Sequence, residues 1–389
     1  MAPTKDLEQR MRFFTNEVLQ DPYPSYAMWR AEKPIWQDEE TGAWILSRFE
    51  DVRHVLKHSS DFSSKAMGGG ESGPLPLLAD DAPRHTELRN IVNKAFTQRM
   101  LKSIEGDVAH IAESLVADIP SEEAVDVVQA LTIPLPVAVI SKMMDIPAER
   151  AHDFKRWSDA LTGTLAGASL AEREVEIGEM YAFFQGLIPE RRGQGGSDLV
   201  SAVVNASVDG KALSDPDVVG FCMLLLIAGN ETTTNLLGNF LNVLADRPND
   251  WQRLRDTPKL IDQGIEETLR FDGPVQFLRR TLTSPCSFHG KTLNPGDVVH
   301  VIMGSANRDD AVYDNAQAFD LGREKIQHHT FGFGIHFCIG APLARLEARA
   351  AMQALVKRFD RLSRGDGVNE RVASHLLRGF HHLSLRFGC

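Results

Sequence analysis

Cysteine is scarce and scattered. Cys222, Cys286, Cys338 and Cys389 are the only four in 389 residues, and no two stand in a C-x-x-C spacing, which excludes a zinc ribbon and a disulfide framework. Positive charge is also short. A net charge of −11 at pH 7 argues against nucleic acid as partner, because phosphate binding needs a basic face; a local basic patch is still allowed. Long apolar runs are missing. The longest, Phe221 to Gly229, is too short to span a bilayer. The opening "MAPTKDLEQRMRFF" is charged early and lacks the apolar segment of a secretion signal. No membrane association is expected, and the expected location is the cytoplasm.

What is present is an ordinary globular composition, with 43% hydrophobic and 7% aromatic residues, enough to bury a large core. Turn residues ahead of an apolar run predict a strand within Thr41–Phe49. The glycine-rich stretch from Lys65 to Leu78 reads as a long functional loop. A mainly helical pattern runs from Asp81 to about Arg192, with breaks at "TIPLPV" and "MDIPAER". The stretch "RGQGGSD" marks another loop. Helices follow over Asp215 to about Leu244 and over Leu260 to Phe271. Short strands are expected in "CSFHGKTLNPGDVVHVIM", with Val298–Ile302 as a β-branched run. A last helix begins after Cys338, with Pro342 in its first turn, and Ala348, Met352, Leu355 and Phe359 give it a buried face. The balance is mainly α with small β-sheets. No break looks like a linker, so residues 1–389 read as one domain.

The most specific setting in the chain surrounds a single thiol. In "TFGFGIHFCIGAPLAR", Cys338 sits among phenylalanines and glycines at the start of a helix. A thiolate there would be stabilised by the helix N-terminus and its free N–H groups. The glycines would allow close approach of backbone and a bulky partner. A lone thiolate with amide donors and an apolar shell suits the axial ligand of a haem iron. An inert buried cysteine is the competing reading, and on this stretch alone it would prevail.

Other segments reverse that balance. Phe331-x-x-Gly334-x-His336-x-Cys338-x-Gly340 resembles the haem-binding signature of the cytochrome P450 superfamily of haem-thiolate monooxygenases. "AGNETT" (Ala228 to Thr233) is similar to that family's oxygen-activating helix, and "EETLR" carries its Glu-x-x-Arg pair, Glu267 and Arg270. "ANRDDAVYDNAQAFDLGR", "DDAPRHTELRNIVNKAF" and "DPYPSYAMWRAEKP" resemble further family segments, and the likeness covers nearly the whole chain in the family's order.

The resemblance implies a triangular, prism-like helical fold with a minor β-rich region. It implies haem b (iron protoporphyrin IX) as cofactor, with Cys338 as axial iron ligand, and dioxygen as co-substrate. Phe331, Gly340, Ala228 and Gly229 would lie against the haem, and His85, Arg89, Arg280 and His336 would hold its propionates. Thr232 would hydrogen-bond dioxygen or its water while Glu231 relays protons, since cleaving an O–O bond consumes two. Many members carry Asp where Glu231 stands, so the relay arm is longer here. Glu267, Arg270 and Arg323 would form a buried structural set that holds the cysteine loop.

By the same resemblance, the substrate pocket draws on Ala66–Leu78, Leu225–Thr232, Val275–Leu278 and the tip at Gly379–His382. Those stretches are largely apolar and point to a hydrophobic small organic substrate. Electrons would come from a separate ferredoxin or flavodoxin docking on the Cys338 side, where Arg345, Arg349, Lys325 and Arg99 are candidates for a basic patch. The expected enzyme is a monomeric monooxygenase. Alternatives are a peroxide-driven or oxidative-coupling biosynthetic enzyme and a non-catalytic haem ligand sensor.

Overall fold

A computed structural model describes residues 12–68, 75–165, 173–196, 198–208 and 211–389. Part of the expected Lys65–Leu78 loop, the opening segment and Ser197 of the "RGQGGSD" loop lie outside the described residues. The spine is the helix Asp215–Ala245. It starts where the Ser214 side chain accepts a hydrogen bond from Asp217 N and where Pro216 fits the first turn. Its middle is buried on nearly every face because helices pack around it: Glu174–Arg191, Pro134–Met143, Ala151–Leu165 and Ala341–Arg358. That enclosure explains an apolar run with no clear helical stripe.

The last helix, Ala341–Arg358, carries Pro342 in its first turn and buries Ala348, Met352, Leu355 and, just past its end, Phe359. It packs along Gln98–Ala117. Each fully buried Leu or Phe contributes about 1.5–3 kcal/mol of transfer free energy. One buried residue on this helix is not apolar. Glu347 sits within the core with its Oε2 lacking any hydrogen-bond partner, and burial pushes its carboxyl well above the ordinary range.

A five-stranded sheet runs in the order Ile35–Gln37, Trp44–Leu46, Val298–Ile302, Phe277–Leu282, Phe62–Ser63. Val298–Ile302 pairs parallel with Trp44–Leu46 and antiparallel with Phe277–Leu282. Side chains alternate along a strand, so Leu278 and Arg280 share a face. A second sheet joins Arg361–Arg371, Phe380–Gly388 and Ala124–Asp126. The expected strand at Val298–Ile302 and helix at Leu260–Phe271 have the bounds read from the sequence. The helix Pro248–Asp256 and the C-terminal hairpin were not anticipated. "RLSRGDGVNER" is charged and mostly exposed, which reads as loop; a Cβ at Gly365 would lie 2.3 Å from Ser384 Oγ on the paired strand. At "TIPLPV" the expected break is a π-helical turn, Val128–Thr132, followed by the helix Pro134–Met143.

Candidate active site

The loop before Cys338 is tied down by its own backbone. Cys338 N donates to Phe331 O at 2.8 Å, Phe337 N to Gly334 O at 3.1 Å, and Gly332 N to His329 O at 2.7 Å. Gly334 has φ +74°, and a Cβ there would stand 2.7 Å from Leu56 O. Its close approach is therefore to the end of helix Phe49–Lys57.

Asn307 anchors the loop from outside. Its Oδ1 accepts from His329 N at 2.7 Å, and its Nδ2 donates to Thr330 Oγ1 at 2.8 Å. Asn307 is itself fixed by Arg270, whose Nη1 donates to its carbonyl at 3.1 Å. Arg270 and Glu267 are wholly buried and doubly bonded, at 2.7 and 2.8 Å, with Arg323 as third partner at 3.2 Å. Arg270 also grips the carbonyls of Ala316 and Ala318. The set thus holds the segment before the loop, and Asn307 passes that order on.

Cys338 and Ile339 open into a cavity. The long helix supplies Phe221, Leu224, Leu225 and Ala228 to its wall, and Met67, Leu77, Leu78 and Leu278 complete the apolar part. Ala228 is exposed while Ile227 and Asn230 on either side of the Ala228–Gly229 pair are buried, so the smallest side chain faces the open space. His85, Arg89, Arg280 and His336 line the same cavity. The His85 and His336 rings are 4.1 Å apart.

No carboxylate is among the described lining residues, and the electrostatics record it. Burial, with its cationic neighbours, pushes His336 down to about 3. Burial takes Arg280 down to about 10 and lowers His85 and Arg89. Both ring nitrogens of His85 are buried without a partner. Two arginines and two histidines with donor nitrogens to spare, sharing an apolar slot with a thiol, fit a flat, apolar group carrying two carboxylates, which is the chemistry of haem. Burial also raises the Cys338 thiol, while the Gly340 and Ala341 amides, with Arg89 and Arg345, pull it back toward thiolate.

Thr232, Glu231, Gly229, Phe331 and Gly340 are not among the described residues that line this cavity. Thr232 Oγ1 donates to Ala228 O at 2.7 Å, a bond back to the preceding turn of its own helix. Glu231 meets helix Ala151–Leu165, where Lys155 Nζ lies 3.7 Å from its Oε1. Burial raises Glu231 to about 7, with Lys155 opposing and Asp159 adding to the shift. Lys155 and Asp159 are ion-paired, with side chains 29% and 51% exposed, so a titratable chain leads from Glu231 to solvent. Gly229 faces Ile140, 3.7 Å from where its Cβ would be, and Phe331 packs under Arg345. A Cβ at Gly340 would lie 3.8 Å from Cys338 Sγ.

Two expectations need correction. Arg345 is clamped by Glu266 at 2.5 and 2.9 Å, and Arg349 is paired with Asp262 at 2.5 Å. Carboxylates on the neighbouring helix thus neutralise both, and they do not form a free basic patch; Lys325 and Arg99 are exposed. The Gly379–His382 tip is not among the described cavity residues: His382 meets Asp126 at 2.6 Å, and Phe380 packs near Gly238. Sequence reasoning missed Lys155, Asp159 and Ser64, whose Oγ is 3.0 Å from His336 Nε2. No local motif marks them, because their role depends on packing between distant segments.

Comparison with known proteins bears on this geometry. The family model described as Cytochrome P450 matches residues 138–377. A Bacillus subtilis protein, YjiB, named for that family, is 38% identical over 87% of each chain. The erythromycin C-12 hydroxylase of Saccharopolyspora erythraea is 35% identical over 92% of each. Among solved structures, CYP109E1 from Bacillus megaterium in complex with corticosterone superposes with TM-score 0.87 at 34% identity, covering 96% of this chain and all of that one. CYP109Q5 from Chondromyces apiculatus gives TM-score 0.90 at 33% identity over 97% and 98% of the two chains. With a family model matched over more than half its length and relatives aligned almost end to end, the chain belongs to the cytochrome P450 family and is an oxidoreductase of that kind.

Proposed function

We propose that this protein is a haem-thiolate monooxygenase that inserts one oxygen atom of dioxygen into a hydrophobic small organic molecule, working as a monomeric single domain. The observation that carries the reading is the shared cavity: Cys338, Ala228 of the long helix, and His85, Arg89, Arg280 and His336 all line it. Haem b, when bound, supplies the iron at which dioxygen is reduced by two electrons and two protons, giving one water and one inserted oxygen atom. Cys338 would hold the iron through its thiolate, which would donate electron density to it. His85, Arg89, Arg280 and His336 would hold the propionates, whose negative charge would oppose the lowering that burial imposes on all four. Phe331 and Gly340 shape the Cys338 side, and Ala228 and Gly229 the opposite one.

Glu231 would hold the proton to be delivered. An acid raised to about 7 is partly protonated near neutral pH, which suits a general acid, and Lys155 with Asp159 reloads it from solvent. Thr232 keeps its oxygen free to accept while its proton is held by Ala228 O. Substrate would lie against Met67, Leu77, Leu78, Phe221 and Leu225, a lining with no charge of its own. Erythromycin and corticosterone, named with the relatives, mark the size range. Electrons would come from a separate ferredoxin or flavodoxin. No described helix is long and apolar enough to cross a membrane, which agrees with a cytoplasmic enzyme. The test is spectral. Reduced, haem-loaded protein under carbon monoxide shows the red-shifted Soret band of thiolate ligation, and Cys338→Ala abolishes it; a wild type without that band overturns the reading.

A further inference from the structure

The cavity wall contains a strained leucine. Leu77 has φ +76°, a left-handed backbone that a bulky side chain rarely adopts, yet it is buried and lines the cavity beside Leu78. Such a conformation persists only where its surroundings over-determine it. A carboxylate does so here: Asp80 Oδ2 accepts from Leu77 N at 2.8 Å. The other oxygen of Asp80 accepts from Arg84 Nε at 3.0 Å. Arg84 opens the helix Arg84–Ala95, directly before His85 of the cavity.

The same guanidinium reaches the long helix. Arg84 Nη2 donates to Asp217 Oδ1 at 2.5 Å, and Ser214 Oγ, at the helix cap, donates to Asp217 Oδ2 at 2.7 Å. Asp217 lies on the helix face that lines the cavity, because Phe221, Leu224 and Ala228 follow it at helical spacing. Arg84 thus joins two walls, the leucine pair through Asp80 and the long helix through Asp217. Exposed ion pairs contribute little when both partners swing freely. Here the Arg84 side chain is 52% exposed, but those of Asp80 and Asp217 are only 18% and 19% exposed, and each is already held by a second hydrogen bond.

We propose that Arg84 determines specificity: by bridging Asp80 and Asp217 it holds Leu77 and Leu78 against the long helix, and so sets how tightly the cavity grips a bulky apolar substrate. This rests on the haem-thiolate reading above. Arg84 acts through the two carboxylates, as a positioning residue. A bulky apolar molecule is gripped between the leucines and Phe221 only while the bridge stands, whereas a ligand too small to reach the leucines does not sense it. One exposed ion pair shifts an equilibrium by up to about fivefold, so two arms on one guanidinium place the expected effect at about tenfold.

The experiment compares two iron ligands on the haem-loaded protein, each followed by its spectral shift: a phenylimidazole, whose phenyl ring fills the cavity, and imidazole, which lacks that ring. Arg84→Ala weakens the phenylimidazole about tenfold and leaves imidazole within about twofold. Arg84→Lys, a point charge in place of the two-armed fork, falls between. Adding Asp217→Asn to Arg84→Ala costs nothing more, as two members of one bridge require. Hydrogen exchange of the Leu75–Arg84 backbone, read by mass spectrometry, quickens about tenfold in Arg84→Ala. The inference is overturned if both ligands weaken alike, if neither does, or if exchange is unchanged. A wild type without the thiolate band breaks the functional reading instead, and the exchange rates still judge the bridge.

Discussion

Around Cys338 the backbone is fixed at each step, by its own hydrogen bonds, by Asn307 and by the buried Glu267–Arg270 pair. Across the cavity the long helix is built differently. Thr232 bends its hydroxyl onto Ala228 O, and Glu231 is raised to about 7 and wired to solvent through Lys155 and Asp159. In the proposed function, one wall would hold a ligand still and the other would hold groups that exchange protons. On the cysteine side a titratable group is kept neutral, since burial pushes His336, two residues before Cys338, down to about 3. Glu347 tests the rule, since it is a buried acid on the cysteine side.

The comparison breaks most visibly at Arg270. Arg270→Ala leaves buried Glu267 with only the Arg323 contact at 3.2 Å to balance its charge and costs about 3–5 kcal/mol, measured as a fall in denaturation midpoint with weaker haem retention. A loss under about 1 kcal/mol, the scale of a surface pair, would show that the cysteine wall does not depend on this set.

On the other wall, Glu231→Gln lowers substrate oxidation about a hundredfold while leaving stability nearly unchanged. The sign is set by the raised value: the proton is held up to about pH 7, so wild-type turnover falls as pH rises through that point. Turnover of the variant, measured from pH 6 to pH 9, is flat. A variant that keeps the descending limb removes Glu231 from the relay.

Glu347→Gln has a smaller effect and the opposite kind. The folded value lies well above the ordinary 4.5 of the unfolded chain, so the wild type loses stability as pH rises above that ordinary value. The variant lacks this slope and is the more stable at pH 8, by about 1–2 kcal/mol, as read by thermal unfolding at several pH values. Identical slopes would mean that Glu347 is ionised in the fold. The smallest expected change is at Lys155. It lowers Glu231, so Lys155→Ala moves the descending limb of turnover upward, by about half a unit. A shift downward would reverse the assignment.

The cysteine loop, the Glu267–Arg270 pair and the long helix were legible because each is written in consecutive residues with strong local chemistry. Cys338, His336 and Arg280 could be named from motifs, and the fold brings them to one cavity. Charge pairing was not legible. Arg345 and Arg349 share a helical face in the sequence, but Glu266 and Asp262, which neutralise them, sit about 80 residues away and meet them only through helix packing. The same holds for Lys155 beside Glu231. The C-terminal hairpin was hidden for a different reason: its charged, glycine-bearing strand is stabilised by pairing across the sheet, and propensity carries no record of that.

The parallel pairing of Trp44–Leu46 with Val298–Ile302 also sets a timetable. These strands are about 250 residues apart, and the strand bearing Arg280 reaches the first through the second. At ribosomal rates of about 5–20 residues per second, the early strand waits roughly 15–50 s for its partner. Until then the nascent chain has no complete slot for a cofactor and carries an unpaired β-edge. The strand bearing Arg280 therefore takes its place in the sheet only after most of the chain has been made.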